Sequence, residues 1–277
     1  MEKQRKIISI LLTFIMVLAM SSFMAGCGED DVDPAALFDK ASDNISKADT
    51  CSFDADLVMS TKLGAQSMDI KMGMDCDYIK PTKDDASDMQ VYAKVNMELM
   101  GQKVQSDIYI KDGFAYSNTQ GQKIKTQLPK ESFKEINKLF SDKNTIKIEK
   151  YVKESSMDGD KIKLKVDGQK LVEAIMKKYS NLLKGNSSSL NMANGFTDQI
   201  KNSGIETVDI EATIKDENFT TLKCDIPMKM DGSAYGQKEP VESDILLDFK
   251  SIEVNPDLEE IEVPDADQYK TQKGITN

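Results

Sequence analysis

Two adjacent stretches decide the fold: "CSFDADLVMSTKL" (Cys51–Leu63) and "QSMDIKMGMDCDYIK" (Gln66–Lys80). Each alternates apolar with polar or charged residues, which is the period of a β-strand with one buried face. A two-residue turn at positions 64 and 65 brings apolar residues opposite one another: Met59 with Ile70, Leu57 with Met72 and Phe53 with Cys76. One face of this hairpin is then apolar and the other polar, so the turn and the register agree.

The alternation continues along the chain. "MQVYAKVNMEL" returns on "VQSDIYI" through the tip "MGQK", and "KDG" and "TQG" each predict a three-residue hairpin with a left-handed glycine, Gly113 or Gly121. We therefore predict a meander of about six strands between residues 51 and 128. The tripeptide Gly-Gln-Lys recurs at Gly101, Gly121, Gly168 and Gly236, and we interpret it as turn chemistry rather than a functional repeat.

Helices and strands alternate in the rest of the chain. "DPAALFDKASDNISKAD" predicts a helix capped by Asp33, and helices are also predicted at Lys130–Phe140 and in "KLVEAIMKKYSNLL". The predicted strands are "TIKIEKYV", "KIKLKV" and three near "ETVDIEATIK", "FTTLKCDIPMKM" and "DILLDFKSIEV". Pro227 in the fourth of these predicts an edge strand or a bulge. The fold class is α+β, and the polar tail from residue 266 is expected to be loose.

The amino terminus has the order of a bacterial secretory signal. A basic start, "MEKQRK", precedes the charge-free "IISILLTFIMVLAM", and "SSFMAGC" then resembles a lipobox that ends at Cys27. An uncleaved membrane-spanning anchor is the alternative, but it gives Cys27 no purpose. We thus predict a signal peptide over residues 1–26, a lipidated cysteine and acidic tether over 27–33, one domain over 34–265 and a tail over 266–277.

The charge of the mature chain indicates which partners to expect. Removing residues 1–26 leaves 33 basic against 46 acidic residues, a net charge of −13. Anionic headgroups and nucleic-acid phosphates repel such a body, so we expect no nucleic-acid partner. A diacylglyceryl group on Cys27 would supply two chains and hold the protein on the extracytoplasmic face of the cell membrane. Its protein partners are unknown.

Catalytic signals are sparse. The chain has no histidine, and it contains no Walker loop, GxSxG or CxxC motif, so we expect a non-enzyme without metal or cofactor. Paired-carboxylate chemistry stays open, because only a cleft would decide it. Cys51, Cys76 and Cys224 are an odd number of thiols on apolar strand faces, which favours buried hydrophobes over a disulfide.

Methionine is the one unusual component. Of 16 methionines, four lie in residues 1–26, and most of the others fall on the apolar strand positions. Because methionine is unbranched and polarizable, such a face adapts to ligands of variable shape. The alternative is an ordinary core packed by helices.

The lipobox, the first helix, the methionine-rich strands, "YIKDGFAY" (Tyr109–Tyr116) and the closing strands together resemble the LolA/LppX-type lipid-binding superfamily, especially its Gram-positive lipoprotein members. The resemblance implies a curved antiparallel half-barrel of about 9–11 strands with helices across its concave face. It also implies non-catalytic binding or transfer of a lipid or other hydrophobic ligand. The residues expected at the cavity are Leu57, Met59, Met68, Ile70, Met72, Val95, Met97 and Ile108. A scaffold lipoprotein with a filled core, or an accessory subunit of an envelope enzyme or transporter, is the alternative.

Overall fold

A computed structural model describes residues 33–63, 66–82, 87–99, 101–128, 130, 146–174, 204–230, 232–235 and 239–272. The predicted signal peptide, Cys27, most of the helix at Lys130–Phe140 and most of the helix after residue 170 lie outside the described residues. In the described ranges, no helix has both the length and the apolar character needed to span a bilayer.

The described fold is one curved, unclosed sheet of twelve strands with one complete helix, α1 (Pro34–Lys47). The strands are β1 (Thr50–Leu63), β2 (Gln66–Ile79), β3 (Gln90–Leu99), β4 (Gln102–Lys111), β5 (Phe114–Thr119), β6 (Gln122–Gln127), β7 (Val152–Asp158), β8 (Lys161–Asp167), β9 (Thr207–Lys215), β10 (Asn218–Met230), β11 (Val241–Val254) and β12 (Lys270–Gln272). Their spatial order is β12-β6-β5-β4-β3-β2-β1-β11-β10-β9-β8-β7. Every neighbouring pair is antiparallel except β12 with β6. The predicted meander of six strands is confirmed.

The predicted register of the first hairpin is confirmed. Met59 lies opposite Ile70, and Leu57 lies opposite Met72. Pairing extends to the last residue of β1, since Leu63 faces Gln66 across the two-residue connection. Because side chains alternate between the faces, this register places the apolar positions of both strands on one side.

Two tight turns differ from the sequence prediction. The turns after β4 and β5 have two residues each rather than three, Asp112-Gly113 and Gln120-Gly121. Both residues of each turn have positive φ, between 51° and 85°. Two left-handed residues give the turn a twist that matches the twist of the flanking strands, so the tighter turn is favoured. The left-handed glycines themselves are confirmed.

Strand β1 joins the two halves of the sheet. It pairs with β2 on one edge and with β11 on the other, from Cys51 opposite Val254 to Lys62 opposite Glu242. On the far side of β11, β10 pairs with β9 only as far as Asp225, so Pro227 lies beyond that ladder. The prediction for Pro227 is therefore correct on one side only: Pro227 has no partner on β9, but it pairs with Asp244 of β11.

The side of the sheet that carries Cys51, Phe53, Ala55, Leu57 and Met59 is called the methionine face below. Its residues on β8, β9 and β11 join those of β1–β4 in one buried cluster. Helix α1 packs on this face near the start of β10, where the Phe38 and Phe219 rings lie 4.8 Å apart in an edge contact. Asp33 caps α1 as predicted, because its carboxylate accepts the Ala35 N–H at 2.9 Å.

The carboxyl-terminal segment crosses the opposite face of the sheet. Tyr269 packs edge-on against Tyr116 with ring centroids 5.3 Å apart, in a cluster that includes Tyr109 and Ile261. Lys111 donates to the Ile261 carbonyl at 2.8 Å, and Lys123 pairs with Asp265 at 2.8 Å. The loose tail expected from residue 266 is therefore wrong as far as residue 272, because the aromatic anchor and β12 hold it.

One predicted strand is a helical turn. Ile148–Tyr151, inside "TIKIEKYV", form a 3-10 helix, and strand structure begins only at Val152. Asp39 of α1 is fully buried beside this turn, and its Oδ1 accepts the Ile148 N–H at 3.2 Å. No described residue bonds Asp39 Oδ2. Burial raises the pKa of Asp39 to about 7, against the lowering effect of the N–H groups of Ile148 and Glu149.

The methionine face can be tested by a matched pair of substitutions. Met72 is 5% exposed, whereas Lys71 is exposed on the opposite face. Met72→Asp places an unpaired carboxylate in the core, so we expect the free energy of unfolding to fall by roughly 3 kcal/mol or more. Lys71→Asp should change it by about 0.5 kcal/mol or less. Urea unfolding of both variants measures the difference, and equal losses would contradict the face assignment.

The buried carboxyl of Asp39 makes stability depend on pH. Its folded-state pKa lies above the ~3.9 of an unfolded aspartate, so the native state holds the proton more tightly and stability falls as pH rises from about 4 to about 7. Asp39→Asn resembles the protonated group, so the variant should match wild type near pH 4. It should be more stable at pH 8, by up to about 4 kcal/mol. Thermal unfolding across this range measures the difference, and an offset independent of pH would contradict it.

Candidate ligand-binding surface

The structure places all eight residues predicted for a cavity on the methionine face. Residues directly opposite one another on neighbouring strands form a rung of the sheet. The rungs here are Met59 with Ile70, Leu57 with Met72 and Met97, and Thr61 with Met68. Val95 lies opposite Met74, and Ile108 lies opposite Ala93. Hence the sheet brings these residues into one continuous surface, although they come from four different strands.

Their burial divides them into two groups. Met72, Val95 and Ile108 are buried members of the main core cluster, so their side chains are already packed by protein atoms. The other five are half-buried and lie toward the turns that join β1 to β2 and β3 to β4: Leu57, Met59, Met68, Ile70 and Met97. These five residues are called the half-buried strip below, and Leu99 at its edge is 41% exposed.

The strip continues across strands that the sequence did not connect to it. Met59 faces Ile245 on β11, which in turn faces Ile226 on β10, and Cys224 lies one rung away opposite Leu247. Ile226 and Cys224 are half-buried. With strands ~4.8 Å apart, the five strands from β10 to β3 span about 19 Å. The alternation in "FTTLKCDIPMKM" indicated an apolar face, but nothing local showed that this face would extend the strip.

One rung at the end of the strip carries two hydroxyls. Thr61 on β1 and Ser243 on β11 are directly opposite, and their Oγ atoms are hydrogen-bonded at 3.0 Å. They are 3% and 1% exposed, respectively. Met68 and Met228 complete this rung on the two outer strands. The hydroxyls are thus a buried polar pair between two methionines, and the sequence analysis did not identify them.

A second hydroxyl pair lies on the same face farther along the sheet. Ser106 Oγ on β4 and Thr119 Oγ1 on β5 are hydrogen-bonded at 2.9 Å. Ser106 is buried, but Thr119 is half-buried, so water can reach this pair. The two pairs have the same chemistry in different surroundings, which makes the second a natural comparison for the first.

The methionine face lacks charged side chains and activated nucleophiles, so it suits contact with uncharged groups rather than acid–base or nucleophilic catalysis. On β1–β6 and β8–β11, the strand residues described on the methionine face include no Lys, Arg, Asp or Glu. Burial raises the pKa of the Cys51 and Cys224 thiols to about 12, and that of Cys76 well above its usual range. All three are free thiols, and they stay protonated at neutral pH, so none is an activated nucleophile.

Metal ligation has no candidate in the described part of the chain, where no group of three or more Cys, Asp or Glu side chains could hold an ion. The acidic residues of the described strands lie on the opposite face instead. There Asp56 pairs with Lys250 at 2.7 Å, and Asp54 lies opposite Asp75. What the arrangement of the methionine face can do is bury apolar surface and donate hydrogen bonds from hydroxyls.

Comparisons with known proteins identify one family, and the structural similarities reported below are distant. No curated protein matches the chain in sequence. The crystal structure of LprF from Mycobacterium bovis is similar over 86% of this chain and 99% of its own, with 12% identity and a TM-score of 0.38. A DUF1329 family protein from Desulfovibrio piger is similar over 82% and 96%, with 9% identity and a TM-score of 0.27. Residues 33–270 match the family of unknown function DUF6612, and the chain belongs to that family.

Proposed function

We propose that this protein is an extracytoplasmic lipoprotein that binds or transfers a lipid or other hydrophobic ligand on its methionine face, without catalysis. The observation that carries the proposal is the half-buried strip. Leu57 and Met59 pack against the core with one side and are only half-buried, whereas Phe53 and Ala55 on the same face of the same strand are buried. Along β1 the methionine face thus changes from packed core to partly exposed apolar surface that a ligand could contact.

The composition of the strip supports an adaptable site. Three of its five residues are methionines, namely Met59, Met68 and Met97. Methionine has three rotatable bonds and a polarizable sulfur, so it reshapes around a ligand with little loss of contact. A hydrophobic ligand that covers the strip would gain roughly 25 cal/mol for each Å² of apolar surface removed from water.

The anchor complements such a site. Cys27 precedes the first described residue, Asp33, by six positions, and α1 begins directly afterwards. Six residues span at most about 22 Å when extended. A diacylglyceryl group on Cys27 would therefore keep the domain close to the bilayer from which a hydrophobic ligand would come.

A scaffold function is the second candidate, and like charges on the opposite face favour it. Asp209 lies opposite Asp225, and Asp54 lies opposite Asp75. Directly opposed like charges cost stability, so a cationic partner that bound there would relieve the repulsion. A partner protein on this face would require no ligand on the methionine face, and this difference separates the two candidates.

Ligand binding is tested with the full chain, extracted from membranes and released from detergent in a native mass spectrometer. Wild type should carry non-covalent adducts of lipid mass. Met97→Gln makes the strip polar and should weaken adduct retention by about tenfold. Met157→Gln is the matched control, because Met157 is 43% exposed on edge strand β7, seven strands away from Met97 on β3. An adduct-free wild type, or equal effects of the two substitutions, would favour the scaffold.

The anchor is tested separately by the mass of the mature protein. We expect a chain that begins at Cys27 and carries an added lipid mass, and partitioning into a detergent phase. Cys27→Ala should lose both properties, because the thiol is the acceptor of the diacylglyceryl group. A wild-type chain that is unmodified and begins at Met1 would contradict lipidation.

A further inference from the structure

We propose that the Thr61–Ser243 hydroxyl pair is the polar anchor of the ligand site, and that it selects a ligand with an uncharged hydrogen-bond acceptor, such as an ester carbonyl. This inference rests on the proposed function, since it specifies the ligand of the same surface. It begins from a count of hydrogens. Two hydroxyls carry two O–H donors, and the bond between them uses one.

The second hydroxyl hydrogen has no acceptor among the described residues. The mutual contact at 3.0 Å is the one hydrogen bond of either side chain there. Both strands are paired on both edges at this rung, so their backbone carbonyls face the ladder. A buried donor without an acceptor is costly, and valine with alanine would fill the same rung without that cost.

A ligand acceptor resolves the imbalance, and the position of the pair allows one to reach it. The rung directly follows Met59 and Ile70 of the half-buried strip, ~7 Å farther along β1. Met68 and Met228 flank the hydroxyls, and Met68 is half-buried. A change of methionine rotamer opens the pair from the side of the strip, so an apolar chain on the strip would place its polar end here.

The charges around the Thr61–Ser243 pair favour a neutral over an anionic hydrogen-bond acceptor in the ligand. The described strand residues of the methionine face carry no cationic side chain on β1–β4, β10 or β11, and the nearby Lys62 pairs with Glu242 at 3.6 Å on the opposite face. A carboxylate or phosphate here would be buried without a counter-charge, which costs far more than one hydrogen bond returns. An ester or amide carbonyl accepts the free hydrogen without that cost.

The test compares methyl palmitate, heptadecane and palmitate, each incubated with the full lipidated chain and quantified after gel filtration. Wild type should retain the ester about three- to tenfold better than the hydrocarbon, the ratio expected for one net hydrogen bond. Palmitate at pH 8 should be retained less well than the ester. Thr61→Val with Ser243→Ala should abolish the ester preference while keeping heptadecane bound.

The matched control is Ser106→Ala with Thr119→Val, which removes the other hydroxyl pair of the same face and should leave the preference unchanged. Infrared spectra of ester labelled with ¹³C at the carbonyl should show a lower stretching frequency in wild type than in hexane, and this readout remains if the first double variant does not fold. Three outcomes would each overturn this inference alone. They are equal retention of ester and hydrocarbon by wild type, an ester preference that survives the Thr61→Val and Ser243→Ala changes, and a carbonyl stretching frequency of the bound ester equal to that in hexane. Retention of no probe by wild type would overturn the proposed function itself.

Discussion

The structure depends on the pairing of β1 along both of its edges. Each residue of β1 has a partner on β2, and Cys51 to Lys62 also have partners on β11. A slip of one residue on either edge would turn Asp54 and Asp56 toward the core and expose Phe53 and Ala55. Burying such carboxylates without partners costs several kcal/mol each, so pairing on both edges fixes the register of β1. The register of β1 in turn determines which face of each neighbouring strand points toward the core.

Local pairing could be predicted from the sequence because a short turn leaves few ways to align two strands. The register of β1 with β2 follows from the alternation and the two-residue connection alone. The pairing of β1 with β11 does not follow in this way, since Thr61 and Ser243 are separated by 182 positions. Any strand with an apolar face satisfies the same pattern, so alternation identifies the buried side of a strand but not its neighbour.

The errors share a physical cause, which is tertiary contact that overrides local pattern. Ile146 and Ile148 alternate like a strand, yet the carboxylate of Asp39 accepts the Ile148 N–H where a 3-10 turn begins. The tail has a polar composition, yet Tyr269 finds an aromatic partner on the far face of the sheet. The candidate site shows the same limit. Its methionines were predicted as one face, whereas the half-buried Ile226 and the hydroxyl pair arise only from the assembled sheet.

The division of the methionine face would let one surface hold the fold at one end and, in the proposed function, bind a ligand at the other. At the start of β10 the face is closed by α1, with Phe38 on Phe219, and the β9–β10 turn is held by Asn44 donating to the Glu217 carbonyl at 2.9 Å. The strip lies toward the other end of the same strands, near Ile226. Binding sites are drawn from regions of low local stability, and such a region is tolerated where packing elsewhere secures the fold. A ligand on the strip would complete burial that the closed end does not need, so binding could stabilise the protein without changing its topology.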